Sequence, residues 1–335
     1  MARATDLRPS DLHGVIGFLI TPVKEQEITY RTQNAINVEE TARATEALIN
    51  DGVTGICLNG TFGELPSLTW EELKTFTATV VKTARKRVPV FAGATTLNTR
   101  DTIARAKEFR DMGAEGLLMG RPMMSPLSDE NIVRYYQDIA TELPEMAIFL
   151  YDDMEAFKRP ITTRTYVELA KIPQIIGAKY RTRLMISNLM ENTYNCDVDA
   201  VKGNIKLLPG DFDWYFANKL YGLDTCWSSS VCGGPAPIMA LRDALNSQRL
   251  EEAQVITREI SRLYEGIVPN GNFELWHVDK IPFMKARFAA AGYLKPGPAL
   301  PPYHYISPAR VEVAKECGRR SRELQEKYSR QAKAA

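Results

Sequence analysis

The 335-residue chain offers little that would support metal or redox chemistry. Its three histidines, His13, His277 and His304, stand apart with no HExxH and no paired spacing, so metal-assisted hydrolysis has little to rest on. The five cysteines, Cys57, Cys196, Cys226, Cys232 and Cys317, are odd in number and lack CxxC spacing. They indicate neither a disulfide framework nor a zinc site and read as free thiols in a reducing cytoplasm. Charge of one sign is also lacking: 42 Lys and Arg against 41 Asp and Glu leave a net +1. Nothing global therefore draws a polyanion such as DNA, and a small molecule is the default ligand. No run of about 18 apolar residues suits a bilayer crossing, and the N-terminal MARATDLRPSDLHG has no apolar signal core. A soluble, cytoplasmic protein is expected.

What the sequence does contain is alternation. At 44% hydrophobic and 25% charged the composition is ordinary for a globular chain. Short apolar runs bounded by Gly or Pro recur between amphipathic stretches, at roughly 25 to 35 residues per unit, the length of a βα repeat. The predicted strands are Gly14 to Ile20, Gly55 to Leu58, Val88 to Ala94, Gly116 to Met119, Ala147 to Tyr151, Ile175 to Tyr180, Ile205 to Leu208 and Asp224 to Ser228. Thr69-Trp70-Glu71-Glu72 has the capping-box form of a helix start, Asn98-Thr99-Arg100-Asp101 opens another helix, and Gly113 ends it. Eight strands so arranged, with no GxGxxG after the first, favour an α/β fold of the (β/α)₈ TIM-barrel kind over a dinucleotide-binding sheet.

The barrel is expected over residues 1–234, and residues 235–335 as a C-terminal helical extension packed on it in the same structural domain. Helical patterns there fall near Pro237 to Asn246, Leu250 to Ile267, Pro282 to Ala291 and Pro308 to Arg330. The Pro-rich Lys295 to Pro302 reads as a strapped-down loop.

Barrel active sites lie at the C-terminal ends of the strands, and three ends carry chemistry. The sixth places Lys179 in an apolar run, where burial disfavours the ammonium and supplies the free amine that a Schiff base requires. A lysine snorkelling to solvent fits the same local pattern. The fifth ends in Tyr151-Asp152-Asp153, a phenol one strand away from that amine and able to move protons, although packed tyrosines also occupy strand ends. The second runs into Gly60-Thr61-Phe62-Gly63-Glu64, a turn whose backbone N–H groups and hydroxyl suit a carboxylate, or simply a turn.

In this order and spacing the three pieces resemble the N-acetylneuraminate lyase and dihydrodipicolinate synthase superfamily of pyruvate-dependent class I aldolases. The resemblance implies that Gly60 to Glu64 bind the keto-acid carboxylate, that Tyr151 moves protons and that Lys179 forms the imine. Thr21-Pro22 after the first strand extends the match. Within that superfamily GTFGELPSLTWEE, LNTRDT, the EAFK run from Glu155 to Lys158, KIPQIIGAKY, the WSS run from Trp227 to Ser229 and the stretch from Lys285 to Lys295 look like the hydratase-aldolases of aromatic hydrocarbon breakdown. That likeness implies a homo-oligomer, a dimer or a tetramer, with no metal and no organic cofactor.

Departures from the parent superfamily shape the substrate expectation. Phe62 stands where a second hydroxyl residue is usual, and Pro122-Met123-Met124 where tyrosines are usual. With Trp227 these suggest a pocket for a flat aromatic ring, or else core packing. Asp153, Ser229 and Lys280 complete the expected substrate-binding set. The resemblance to the hydroxyphenyl-type enzymes implies an asparagine where this chain has Lys280 and Asn-Pro where it has Asp153-Met154. Lys280, with Arg181, Arg183 or His277, suits an extra carboxylate on the ring or is a solvated surface charge, and the expected substrate is trans-2'-carboxybenzalpyruvate. A 2-hydroxyphenyl analogue and a catalytically silent keto-acid sensor are the alternatives.

Overall fold

Eight parallel strands form the sheet of a computed structural model that describes residues 5–154, 156–180 and 194–334. They are β1 (Gly14–Phe18), β2 (Gly55–Leu58), β3 (Val90–Gly93), β4 (Gly116–Met119), β5 (Ala147–Asp152), β6 (Ile175–Tyr180), β7 (Lys206–Leu208) and β8 (Thr225–Ser228). Pairing runs β7-β6-β5-β4-β3-β2-β1-β8. The two ends meet at an isolated parallel bridge, Gly210 with Trp227, where the Trp227 N–H donates to the Pro209 carbonyl at 2.8 Å. The sheet thus closes into the expected barrel. Its strands are buried on both faces and so read as continuous apolar runs.

Between the strands lie α1 (Val38–Asn50), α2 (Trp70–Ala84), α3 (Thr99–Asp111), α4 (Asp129–Glu142), α5 (Thr163–Leu169), α6 (Tyr194–Val201) and α7 (Trp214–Tyr221). The start signals act as read: Thr69 and Glu72 form the reciprocal capping box of α2, and the Asn98 side chain caps α3 by accepting from the Asp101 N–H. Four more helices follow β8. They are α8 (Ala236–Asn246), α9 (Leu250–Arg262), α10 (Phe273–Ala291) and α11 (Pro308–Ala334). α8 packs against β1, and α11 lies along α10 and α8.

One helix departs from expectation. Pro282 was expected to open a helix, yet α10 begins nine residues earlier at Phe273 and carries Pro282 inside it. An internal proline forfeits one hydrogen bond and costs about 3 kcal/mol. Here the Asn272 side chain caps the start by accepting from the Glu274 and Leu275 N–H groups, and Trp276, Phe283, Met284 and Phe288 bury one side of the helix. Tertiary burial outweighs the local penalty. The consequence is functional, because Trp276, His277 and Lys280 become helical and face the mouth of the barrel.

The Lys295 to Pro302 stretch is strapped down as expected. The Val23 N–H donates to the Pro296 carbonyl at 2.9 Å and the Leu300 N–H to Glu64 Oε1 at 2.7 Å. Among the described residues no helix is long and apolar enough to cross a membrane.

Candidate active site

Strand register brings the two principal residues together. β5 and β6 pair with Tyr151 opposite Lys179 and Asp152 opposite Tyr180. Side chains alternate along a strand, so Tyr151 and Asp153 share the inward face with Lys179, while Asp152 points outward to the helices. The Lys179 Nζ lies 4.2 Å from the centre of the Tyr151 ring, 5.2 Å from that of Trp227 and 3.7 Å from Asp153 Oδ2. Its side chain is 14% exposed, which excludes the snorkelling arrangement: the amine ends inside the barrel.

Tyr151 is buried, and its hydroxyl is 2.8 Å from Thr61 Oγ1. Burial and the Asp153 carboxylate push this phenol up to about 12, against the opposing pull of Lys280 and the Thr61 hydrogen bonds. At neutral pH it is therefore a protonated donor. Phe157 packs edge-on against its ring, with centroids 5.2 Å apart.

The turn after β2 is shaped by close packing. A Cβ on Gly60 would lie 2.9 Å from the Phe18 ring and 3.2 Å from that of Tyr151, and one on Gly63 would lie 3.0 Å from the Asn59 nitrogen. Thr21 Oγ1 donates to the Gly63 carbonyl at 2.8 Å, which accounts for the threonine after β1. Glu64 needs a correction. It was expected to bind substrate, but it is fully buried, adopts a left-handed φ of 54° and pairs with Lys285 of α10 at 2.5 Å. Its carboxylate fastens the turn to the extension and does not reach the cavity.

That cavity, about 440 Å³, opens above Lys179. Thr61, Phe62, Tyr151, Asp153, Trp227, Ser229 and Lys280 line it. Met123 and Met124 do not, which is a second correction: Met124 is 75% exposed and Met123 packs on the outside of the core. The physical reason lies two residues before Met123. Arg121 takes the buried position after β4, bonding Asp152 and the Arg159 carbonyl, and the following residues are carried to the surface. Arg181 and Arg183 lie outside the described residues.

The aromatic walls come from elsewhere. α10 presents Phe273, Trp276, His277, Lys280 and Met284 to the cavity, a spacing that places all five on one helical face. Trp276 meets Phe62 edge-on, with centroids 6.3 Å apart, so the extension and the β2 turn form one wall. Lys280 Nζ is 3.0 Å from His277 Nδ1. Opposite, Phe212 and Tyr264 stack edge-on at 5.0 Å. Asp211 holds this wall: its two oxygens accept from the Ser228 hydroxyl at 2.5 Å and the Tyr264 hydroxyl at 2.6 Å. Burial raises the Asp211 carboxyl above its usual range. Sequence reasoning missed this group. Its position just past β7 was the available signal, since strand ends are where barrel function gathers.

An amine, a phenol and a carboxylate converging under an aromatic-walled cavity can form an imine and move protons around it. Comparison with known proteins gives the arrangement its family. A model of the dihydrodipicolinate synthetase family matches residues 11–278. The chain belongs to that family. A trans-2'-carboxybenzalpyruvate hydratase-aldolase of Nocardioides sp. (strain KP7) is 38% identical over 95% of this chain and 96% of its own. A trans-O-hydroxybenzylidenepyruvate hydratase-aldolase of Pseudomonas putida is 36% identical over 98% of each. The solved structure of PhdJ bound to a substrate intermediate superimposes with a TM-score of 0.93 at 40% identity, covering 97% of this chain and 99% of that one. The family model ends at residue 278, and the likeness to these relatives continues over nearly the whole length, the extension included.

Proposed function

We propose that this protein is a hydratase-aldolase, a carbon–carbon lyase that converts an arylidene-pyruvate and water to an aromatic aldehyde and pyruvate through an imine on Lys179. The observation that carries the proposal is the placement of the Lys179 amine, held between the Tyr151 and Trp227 rings beneath walls of Phe62, Phe212, Tyr264 and Trp276. The amine attacks the ketone, and the protonated imine withdraws electrons along the conjugated chain. Water adds to the carbon bearing the ring. Retro-aldol cleavage then releases the aldehyde, and the enamine left on Lys179 is protonated and hydrolysed to pyruvate. The imine serves as the electron sink, so the scheme requires no metal or organic cofactor.

For the ring we favour a 2'-carboxy substituent. Lys280 with His277 sets a cation among the apolar walls, and an ammonium there is well matched to a carboxylate. The Nocardioides relative acts, by its name, on such a compound. Cytoplasmic residence and assembly as a homo-oligomer belong to the same proposal. Free thiols at all five cysteines, four of them buried, suit a reducing compartment.

Incubation with pyruvate and borohydride should add a reduced pyruvyl group to Lys179, detected by mass spectrometry, and Lys179→Arg should abolish it. A protein without that adduct would be a sensor rather than an aldolase. Offered the 2-carboxyphenyl and 2-hydroxyphenyl substrates side by side, the enzyme should turn over the carboxy compound faster. The reverse order overturns the ring assignment.

A further inference from the structure

The proposed reaction needs a base twice. Water that adds to the ring-bearing carbon must shed a proton, and the hydroxyl it leaves must lose another for the carbon–carbon bond to break. Tyr151, its hydroxyl 2.8 Å from Thr61 Oγ1 and its phenol kept protonated by burial, is placed as a proton donor. Asp211 also borders the cavity, but its two oxygens already accept from the Ser228 and Tyr264 hydroxyls. His277 turns Nδ1 to the Lys280 ammonium at 3.0 Å, which occupies that nitrogen as an acceptor.

Resting on the hydratase-aldolase reading, we infer that Asp153 is the base for both proton transfers. Strand alternation puts it two residues beyond Tyr151 on the inward face, among the residues lining the cavity. Its Oδ1 accepts from the Ala156 N–H at 3.1 Å, which fixes the rotamer, and its Oδ2 faces the Lys179 nitrogen at 3.7 Å. Once that nitrogen carries the imine, the ring-bearing carbon is two bonds from the imine carbon, about 2.5 Å. A carboxylate already beside the nitrogen therefore lies within reach of a water or hydroxyl on that carbon.

The steps balance. In the first, the water oxygen bonds to the ring-bearing carbon, the alkene electrons move into the imine to give an enamine, and the water proton passes to Asp153. That proton returns to the enamine carbon and restores the protonated imine. In the second, Asp153 takes the hydroxyl proton, the carbonyl of the aldehyde forms, and the broken carbon–carbon bond supplies the electrons of a new enamine. Protonation of that enamine frees the carboxylate for the next turnover.

Asp153→Asn keeps the size of the side chain and an acceptor for Ala156 but removes the base. The pyruvate adduct on Lys179, trapped with borohydride, should form at the wild-type yield, which also reports an intact site. The kcat for an arylidene-pyruvate should fall roughly 10²- to 10⁴-fold. The acid limb of the kcat–pH profile should flatten. The other ionisable groups lining the cavity with Asp153 are Tyr151 from β5, Lys179 and Tyr180 from β6, Asp211 after β7, Tyr264 after α9, and His277 and Lys280 from α10. An acid limb that survives the substitution assigns the base to His277 and overturns the inference. So does a kcat within about threefold of wild type, roughly 0.7 kcal/mol, or loss of the adduct, which would make Asp153 a group that positions Lys179. Wild-type protein that forms no adduct defeats the underlying reading instead.

Discussion

Cutting the tie between Glu64 and Lys285 should destabilise the fold more than the loss of either residue's packing explains. The Glu64 carboxylate is fully buried, 2.5 Å from a Lys285 ammonium that is itself 3% exposed. Each partner has one further backbone contact: Leu300 N–H to Glu64 Oε1 at 2.7 Å, and Lys285 Nζ to the Pro298 carbonyl at 2.8 Å. Burial lowers the Lys285 ammonium below its usual 10.5, outweighing the pull of Glu64. Desolvation is thus the larger influence on this lysine. Removing one charge leaves the other buried and uncompensated, at a cost of about 3–5 kcal/mol, whereas replacing both with uncharged groups of similar size is often neutral or stabilising. Lys285→Met should therefore lose about 3–5 kcal/mol in urea unfolding followed by circular dichroism. Adding Glu64→Gln, whose amide oxygen can still accept from Leu300, should recover most of that loss. The coupling between the two sites would then be at least about 2 kcal/mol. Additive single effects, or a Lys285→Met midpoint within experimental error of wild type, would refute the assignment of this pair as the fastener of the extension.

Thr61→Val removes the hydroxyl 2.8 Å from the Tyr151 phenol. Losing a bond of about 1.4 kcal/mol should lower kcat/KM roughly tenfold while leaving the borohydride adduct intact, and unchanged steady-state kinetics would contradict a proton-moving role for the pair. Alkaline unfolding should be steep. Burial, first among the causes, raises the phenols of Tyr135, Tyr136, Tyr264 and Tyr293 above their ordinary 10.0. The folded chain holds these protons longer than the unfolded one, so the stability they contribute is complete below about pH 10 and is lost as pH rises through the folded values. Tyrosinate absorbance should appear together with loss of secondary structure. Titration near pH 10 in an intact fold would show these phenols to be accessible.

The strands were legible because both of their faces are buried, which leaves continuous apolar runs such as Ile175 to Tyr180 in the sequence. Lys179 and Tyr151 were legible because the barrel rule converts a position at a strand end into a place in the molecule. The ring-side wall was not. Nothing near Trp276 announces that it will meet Phe62, because that contact depends on the extension folding back across the mouth. Pro282 misdirected the reading for a related reason: a local helix-start signal was overridden by burial of the residues around it. Glu64 read as functional because it closes the Gly60 to Glu64 turn that the resemblance marks, and its partner Lys285 lies far along the sequence. Met123 and Met124 read as pocket residues because nothing local shows that Arg121 is buried against Asp152 and the Arg159 carbonyl, outside the cavity. A buried Arg121–Asp152 pair is beyond prediction from either residue alone.

The five cavity residues on one face of α10 also bear on how such an enzyme diversifies. Under the proposed function the imine end of the cavity is the part built by β5 and β6, and the aryl end the part lined largely by a single helix remote in sequence. Selectivity for the aldehyde half is therefore separable from the keto-acid chemistry, and grafting the 273–284 segment between relatives is a route to new aldehydes that leaves the catalytic strands untouched. The Glu64–Lys285 tie sets the boundary for such a graft: ending it at residue 284 keeps Lys285, and with it the anchor of the β2 turn.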